Sequence, residues 1–305
     1  HMEGHMPKFS GAWPALATPF TDSNEVNTAV LRGLVDYLID KRIGGLYVCG
    51  STGEGVYMSV AERKHVAETV LDVTAGRVPV VVHVGSTVAR DAAELARHAQ
   101  ATGADAVASI IPPLFGREES IFEYYQALGA AAPDLPLLAY IFGGPSDAVA
   151  LMRRLLAIPT VAGSKYTGPN MHEFRRIVEL SREYTGPFEW TVFSGMDEEC
   201  LFASMFGSNG NIGSTLNYLP GLYREIHHCR ERGDLARGTE LQLQANVITQ
   251  ILFGYGFMGA LKEVLGMLGH NCGQPRLPNR PFDSTQRNEL RKDLEAVNFF
   301  ALANM

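Results

Sequence analysis

The chain has 305 residues, 46% of them apolar and 19% charged, with a net charge of −7. That profile fits a soluble globular protein with a sizeable core and argues against a general nucleic-acid binder, which carries a basic face. No apolar run of about eighteen residues is present to span a membrane, and four scattered cysteines without a CxxC pair argue for a reducing cytoplasm and against a disulfide framework or zinc site.

In chain order, residues 1–7 read as a tag remnant and disordered N-terminus. Strand-like apolar runs then recur at 13–20 (WPALATPF), 44–50 (GGLYVCG), 78–85 (VPVVVHVG) and 106–113 (AVASIIPP). They continue at 135–142 (LPLLAYIF), 161–167 (VAGSKYT), 191–195 (TVFSG) and 210–215 (GNIGST). Helical patterns lie between them. The segment 59–76 opens on a small polar residue and has apolar positions at helical spacing, and 88–105 closes on a helix-terminating glycine. Continuous apolar strands alternating with amphipathic helices predict a parallel sheet covered by helices. Eight such units predict a (β/α)8 TIM barrel over 8–217, since an open doubly wound sheet uses fewer strands. Residues 218–305 read as the final barrel helix and a C-terminal helical extension, with helices at 235–253, 259–269 and 284–303.

Active sites of this fold lie at the C-terminal ends of the strands. Ser51, Thr52 and Glu54 follow the second run, Tyr140 lies on the fifth and Lys165 on the sixth. Asp197 and Glu198 follow the seventh, and Ser214 and Thr215 end the eighth. Lys165 has two readings. It is a solvated lysine at a strand end, or it is desolvated at the barrel mouth, where the charged form is disfavoured and a neutral amine attacks a ketone to give a Schiff base. Tyr140 either packs its ring or shuttles a proton to a substrate oxygen. The segment GSTGEGVYMSVAER at 50–63 follows the second run and leads into a helix; its glycines let the backbone turn tightly, and free N–H groups with the Ser51 and Thr52 hydroxyls suit an anion such as a carboxylate.

Other patterns carry blander readings. GYGFMG at 254–259 matches GxGxxG but follows a helical pattern, so it reads as a helix-to-helix turn. His227 and His228 point about 100° apart on a helix and read as ordinary surface histidines. Arg224, Arg230 and Arg232, with Glu225 and Glu231, read as a solvated helix face.

Taken together, GLYVCGSTGE (45–54), VVHVG (81–85), Tyr140, GSKYT (163–167), SGMDE (194–198), IGSTLNYL (212–219) and GQPRLP (273–278) run in the order of one known family. The chain resembles the pyruvate-dependent class I aldolases, and within them the N-acetylneuraminate lyase branch of the family that also contains dihydrodipicolinate synthase. The resemblance implies that Lys165 forms the Schiff base, that Tyr140 moves protons, and that Ser51 and Thr52 hold the pyruvate carboxylate, with Ser51 also reaching the tyrosine. It implies that Thr167, Gly195, Asp197, Glu198 and Ser214 hold the polyhydroxy tail. No metal or organic cofactor is implied, because the lysine is the electron sink. A cytoplasmic homotetramer acting on small molecules, with no nucleic-acid or membrane partner, completes the expectation. The reaction implied is cleavage of a 2-oxo sugar acid, with N-acetylneuraminate giving pyruvate and N-acetylmannosamine as the leading case.

The chain departs from that branch in places. IFGGPSD (141–147) replaces the usual sequence after the tyrosine, Asn211 stands where the branch has Gly or Ala, and Leu114 and Phe115 stand where many members offer a tyrosine to a neighbouring subunit. Pro145 stands where dihydrodipicolinate synthases carry a substrate-binding arginine, which favours the lyase branch. The alternatives are another pyruvate-dependent aldolase or synthase with a different aldehyde partner, and a non-catalytic keto-acid sensor.

Overall fold

The computed structural model describes residues 8–143 and 147–305; the segment 1–7 and Pro145 lie outside the described residues. Eight strands alternate with helices: β1 (Gly11–Pro14), α1 (Thr28–Asp40), β2 (Leu46–Val48), α2 (Val60–Thr74), β3 (Val80–His83), α3 (Ala89–Ala101), β4 (Ala106–Ile110) and α4 (Glu118–Ala131). The second half repeats the scheme with β5 (Leu137–Phe142), α5 (Ala148–Leu155), β6 (Val161–Thr167), α6 (Met171–Glu179), β7 (Thr191–Ser194), α7 (Cys200–Met205), β8 (Gly210–Gly213) and α8 (Pro220–Arg232). All neighbours pair in parallel in the order β1-β8-β7-β6-β5-β4-β3-β2. A bridge between Ala15 and Tyr47, with the Gly44 N–H donating to the Ala12 carbonyl at 2.8 Å, brings β2 against β1 and closes the ring. The expected (β/α)8 TIM barrel is therefore present, followed by α9 (Leu235–Gly254), α10 (Phe257–Met267), α11 (Arg287–Ala296) and α12 (Phe299–Ala303).

Local chemistry explains most of these elements. Ser59 and Glu62 cap each other's backbone at the start of α2. Gly254 ends α9 and Gly256 turns at φ +81° before α10, so GYGFMG is the helix-to-helix turn its context indicated. Several strands are shorter than expected, and two boundaries differ most. The strand β1 ends at Pro14 although burial continues to Phe20: Ala15 and Leu16 still donate to the Gly213 and Tyr47 carbonyls at 2.9 Å, but Ala17 then donates to the Asn217 side chain and Phe20 to the Cys272 carbonyl, both at 3.0 Å. The last helix is broken in two because Asn298 adopts φ +59° between α11 and α12.

Side chains pointing into the barrel form their own small core, with Phe9, Trp13, Leu138, Phe193 and Ile212 among its members. Trp13 packs edge-on against Phe9 and Phe193 at 5.8 and 5.0 Å and plugs the N-terminal end. A Cβ at Gly45 would lie 2.4 Å from its ring. The opposite end, at the strand C-termini, is left to polar groups. Between barrel and helices lies the main hydrophobic layer.

The histidine expectation fails for one of the pair. His228 faces outward beside Glu225, but His227 is buried, because on α8 it lies one turn after the buried Tyr223. Arg230 and Arg232 are exposed as expected, with Arg232 paired to Glu225 at 2.7 Å, while the Arg224 guanidinium donates to the Lys41 carbonyl. All four cysteines are free and buried. Among the described residues, no helix is long and apolar enough to cross a membrane.

Candidate active site

Side chains alternate across a strand, and in β6 this sends Lys165 and Thr167 inward while Tyr166 joins the outer hydrophobic layer. Lys165 is in register with Tyr140 on β5 and with Phe193 on β7. It is 5% exposed. Its Nζ lies 3.9 Å from the centroid of the Tyr140 ring and 4.7 Å from that of Tyr47, so it rests on aromatic faces. Such faces stabilise a cation, whether the ammonium or an iminium formed in its place. The reading of Lys165 as a solvated strand-end residue is therefore wrong.

Tyr140 is itself buried, edge-on to Tyr47 and to His83, each at 6.4 Å. His83 Nε2 accepts from the Ile110 N–H at 3.0 Å, so the ring proton sits on Nδ1 and donates to the Cys49 carbonyl at 3.1 Å. Burial and the neighbouring Arg63 hold the His83 pKa well below the usual imidazole range. The rear wall behind Tyr140 is thus a neutral, fixed imidazole. Tyr47 and His83 escape sequence reasoning based on strand ends, since both read as ordinary strand interior. The only local signal is that each is an aromatic or polar side chain at an inward position of its strand.

The loop after β2 starts at Gly50, where a Cβ would lie 2.6 Å from the Tyr47 ring. Ser51 is exposed and Thr52 half-buried at the mouth. Glu54, at φ +57°, turns away from the mouth into full burial and pairs with Lys262 of α10 at 2.7 Å, both side chains being wholly inaccessible. Its other oxygen accepts the Arg276 N–H at 2.7 Å. Thr18 and Lys262 complete the anchor: the Thr18 hydroxyl donates to the Gly53 carbonyl at 2.7 Å, and Lys262 donates to the Thr18 carbonyl at 2.8 Å. The loop after β2 is thereby fastened to the C-terminal extension.

On the far side, Gly195 has no side chain for a steric reason. A Cβ there would lie 1.7 Å from Thr167 Oγ1 and 3.1 Å from Lys165 Cε. Thr167 Oγ1 is buried without a partner among the described residues, beside a cavity of about 430 Å³ lined by Phe142, Thr167, Glu173 and Met196. Asp197 is 4% exposed. Its Oδ2 accepts from the Thr215 hydroxyl at 2.7 Å and the Thr215 N–H at 3.1 Å, and its Oδ1 accepts from Asn211 Nδ2 at 3.3 Å. Burial pushes its carboxyl up to about 6, against the opposing pull of those donors. Glu198 and Ser214 are half-buried on the turns that follow β7 and β8. From α9, Gln242 donates to the Asp197 carbonyl at 2.9 Å and Asn246 to the Glu198 carbonyl at 3.1 Å.

The departures noted in the sequence have distinct outcomes. Asn211 is buried in the Asp197 network and does not lie free in the mouth. Leu114 is 84% exposed, whereas Phe115 packs on Tyr124 of its own chain at 5.3 Å. Phe142 projects at the end of β5, and Asp147 caps α5 by accepting the Ala150 N–H at 2.8 Å.

A buried lysine on β6, in register with a tyrosine on β5, at the C-terminal mouth of an eightfold barrel restricts the relatives to be considered. Residues 8–297 match the dihydrodipicolinate synthetase family. The chain belongs to that family. Within this family, it is 32% identical to the N-acetylneuraminate lyase of Rhizobium meliloti over 295 residues, covering 95% of each protein. Its fold superposes on a Proteus mirabilis N-acetylneuraminate lyase with a TM-score of 0.89 at 30% identity, covering 96% of this chain and all of the other. A Ruminococcus gnavus sialic acid aldolase, solved as a catalytic lysine mutant, gives a TM-score of 0.91 at 27% identity over 98% of both chains. In sequence and shape the chain is thus similar to proteins named as N-acetylneuraminate lyases and sialic acid aldolases.

Proposed function

We propose that this protein is a class I aldolase that cleaves a 2-oxo sugar acid, N-acetylneuraminate first, into pyruvate and N-acetylmannosamine. The observation that carries the reading is the Lys165 amine, buried against the Tyr140 and Tyr47 rings at the barrel mouth. Ser51 and Thr52 hold the substrate carboxylate. Lys165 attacks the C2 ketone, water leaves, and an iminium forms over the two aromatic rings. Tyr140, with the substrate carboxylate, takes the proton of the C4 hydroxyl. The C3–C4 electron pair moves into the iminium, giving an enamine and the free aldehyde. Protonation at C3 and hydrolysis then release pyruvate and restore the amine. The lysine accepts the electrons, so the scheme uses no metal or organic cofactor.

Thr167, Gly195, Asp197, Glu198 and Ser214 receive the hydroxylated tail, since a polyol calls for several convergent donors and acceptors. The protein acts on small molecules in the cytoplasm as a homotetramer. Support for assembly comes from apolar side chains left exposed on α7 and α9, among them Phe202, Met205, Leu243 and Val247. The same chemistry with another aldehyde is the second reading, favoured by Phe142 standing 59% exposed at the mouth. Incubation with N-acetylneuraminate tests the proposal: stoichiometric pyruvate and N-acetylmannosamine are expected. Pyruvate release from other 2-oxo sugar acids alone would favour the second reading, and release from none would reject both.

A further inference from the structure

Behind the acceptors at the ends of β7 and β8 lies a buried polar chain that the reaction scheme leaves unused. Asn211 on β8 presents its amide nitrogen to Asp197 Oδ1, so its own Oδ1 faces the opposite way, 2.7 Å from His227 Nε2 on α8. An amide oxygen only accepts, so His227 carries its proton on Nε2. Donation therefore runs in one direction, from His227 to Asn211 to Asp197. Asn211 is 1% exposed and His227 8%, and the Cys200 sulfur lies 3.6 Å from the same imidazole nitrogen. The far side of the carboxylate is fixed by Thr215, and its floor is Gly213, where a Cβ would lie 1.6 Å from Asp197 Oδ1. Side-chain rotation that would turn the Asn211 amide over would set a carbonyl against a carboxylate, and His227 opposes it. The network thus keeps a carboxylate in its ionised, accepting state although it is almost fully buried.

Building on the proposed sugar-acid reading, we infer that Asn211, locked by His227, is a positioning residue that aims Asp197 as a hydrogen-bond acceptor for the hydroxylated tail. Its contribution belongs to tail binding, and the Schiff-base half of the reaction does not depend on it. The groups facing Asp197 are Glu198 and Cys200 from its own turn and α7, Asn211 from β8, Thr215 and Tyr218 after β8, and Tyr223 on α8, with His227 acting through Asn211. Glu198 opposes ionisation and no cation is prominent, so hydrogen bonds carry the stabilisation of the charge. Burial holds His227 down to about 4, so near neutral pH it serves as a neutral donor. Removing the Asn211 amide withdraws one donor from the carboxylate and raises its pKa further. Asp197 is then protonated over part of the neutral range and accepts less well.

The test compares Asn211→Leu, His227→Leu and His227→Gln with the wild type, using the full-length protein. Three quantities are read: the pyruvate adduct on Lys165 after borohydride reduction, and KM and kcat for N-acetylneuraminate across about pH 6 to about pH 8. Asn211→Leu is expected to raise KM about tenfold near pH 6.5, the effect of losing one hydrogen bond to a charged group, with kcat and adduct yield little changed. The KM excess shrinks as pH rises. His227→Leu follows the same pattern, and His227→Gln, which keeps a donor, restores most of the wild-type KM. Should Asn211→Leu fail to fold by thermal melting, Asn211→Ser carries the same expectation. A KM unchanged in both asparagine variants overturns the inference, as does a loss shared equally by adduct yield and kcat with no pH dependence. A wild type that forms the adduct but does not cleave the sugar acid rejects the parent reading of the substrate, and the inference falls with it.

Discussion

The two sides of the barrel mouth are made of different material. At β5 and β6, Lys165 and Tyr140 sit among aromatic rings, and neither the lysine nor its neighbours form an ion pair among the described residues. At β7 and β8, Asp197 is enclosed by hydrogen-bond donors and backed by side chains from α8 and α9. The first arrangement leaves a cationic nitrogen free to exchange an ammonium for an iminium without breaking a salt bridge. The second holds a carboxylate still at some cost in desolvation, which suits recognition of a hydroxylated chain. The proposed function assigns chemistry to one side of the mouth and selectivity to the other, so changes on one side should leave the other's observable intact.

The largest expected effect divides them most clearly. Tyr140→Phe removes the phenolic proton carrier and is expected to lower kcat by ~10²–10⁴-fold, while the pyruvate adduct on Lys165 still forms. Steady-state kinetics beside reductive trapping checks this, and loss of both together would mean that the tyrosine also builds the lysine's pocket. The next test concerns the anchor under the loop after β2. Lys262→Met leaves Glu54 charged and unpaired in full burial, and should destabilise the protein by ~3–5 kcal/mol. Denaturant unfolding measures it, and a double variant with Glu54→Gln should recover much of the loss. The smallest effect is in the wild type. Asp197, with a pKa near 6, is ionised near neutral pH and takes up a proton as pH falls through that value. KM for the sugar acid is expected to rise by about threefold to tenfold over that fall, as an accepting carboxylate becomes a neutral acid. KM for pyruvate exchange, which uses only the other side, should stay flat, and a parallel rise would assign the titration to the shared machinery.

Much of this was legible in the sequence wherever it rests on local periodicity. Eight apolar runs and their helices announce the barrel, and the inward alternation of β6 puts Lys165 in its mouth. The misjudged ends have local causes, after Leu16, where the backbone leaves the ladder, and at Asn298, where a left-handed residue splits the last helix. His227 could have been placed from Tyr223, which lies four residues earlier on its face of α8. Its bond to Asn211 could not, because it depends on how α8 docks against β8. The same holds for Gln242 and Asn246, which reach back from α9 to carbonyls 45 and 48 residues earlier. Nor does the GSTGE motif reveal that Glu54 turns away from the mouth to meet Lys262, more than two hundred residues downstream. Side-chain bonds between distant elements leave no periodic trace.

The central claim is that Lys165 is the nucleophile. Incubating the full-length protein with pyruvate, reducing with borohydride and mapping the modified peptide by mass tests it directly. A single reduced pyruvyl group on Lys165, absent from Lys165→Met, is the predicted result. An adduct on another lysine, or none while pyruvate is still released from the sugar acid, would contradict the account.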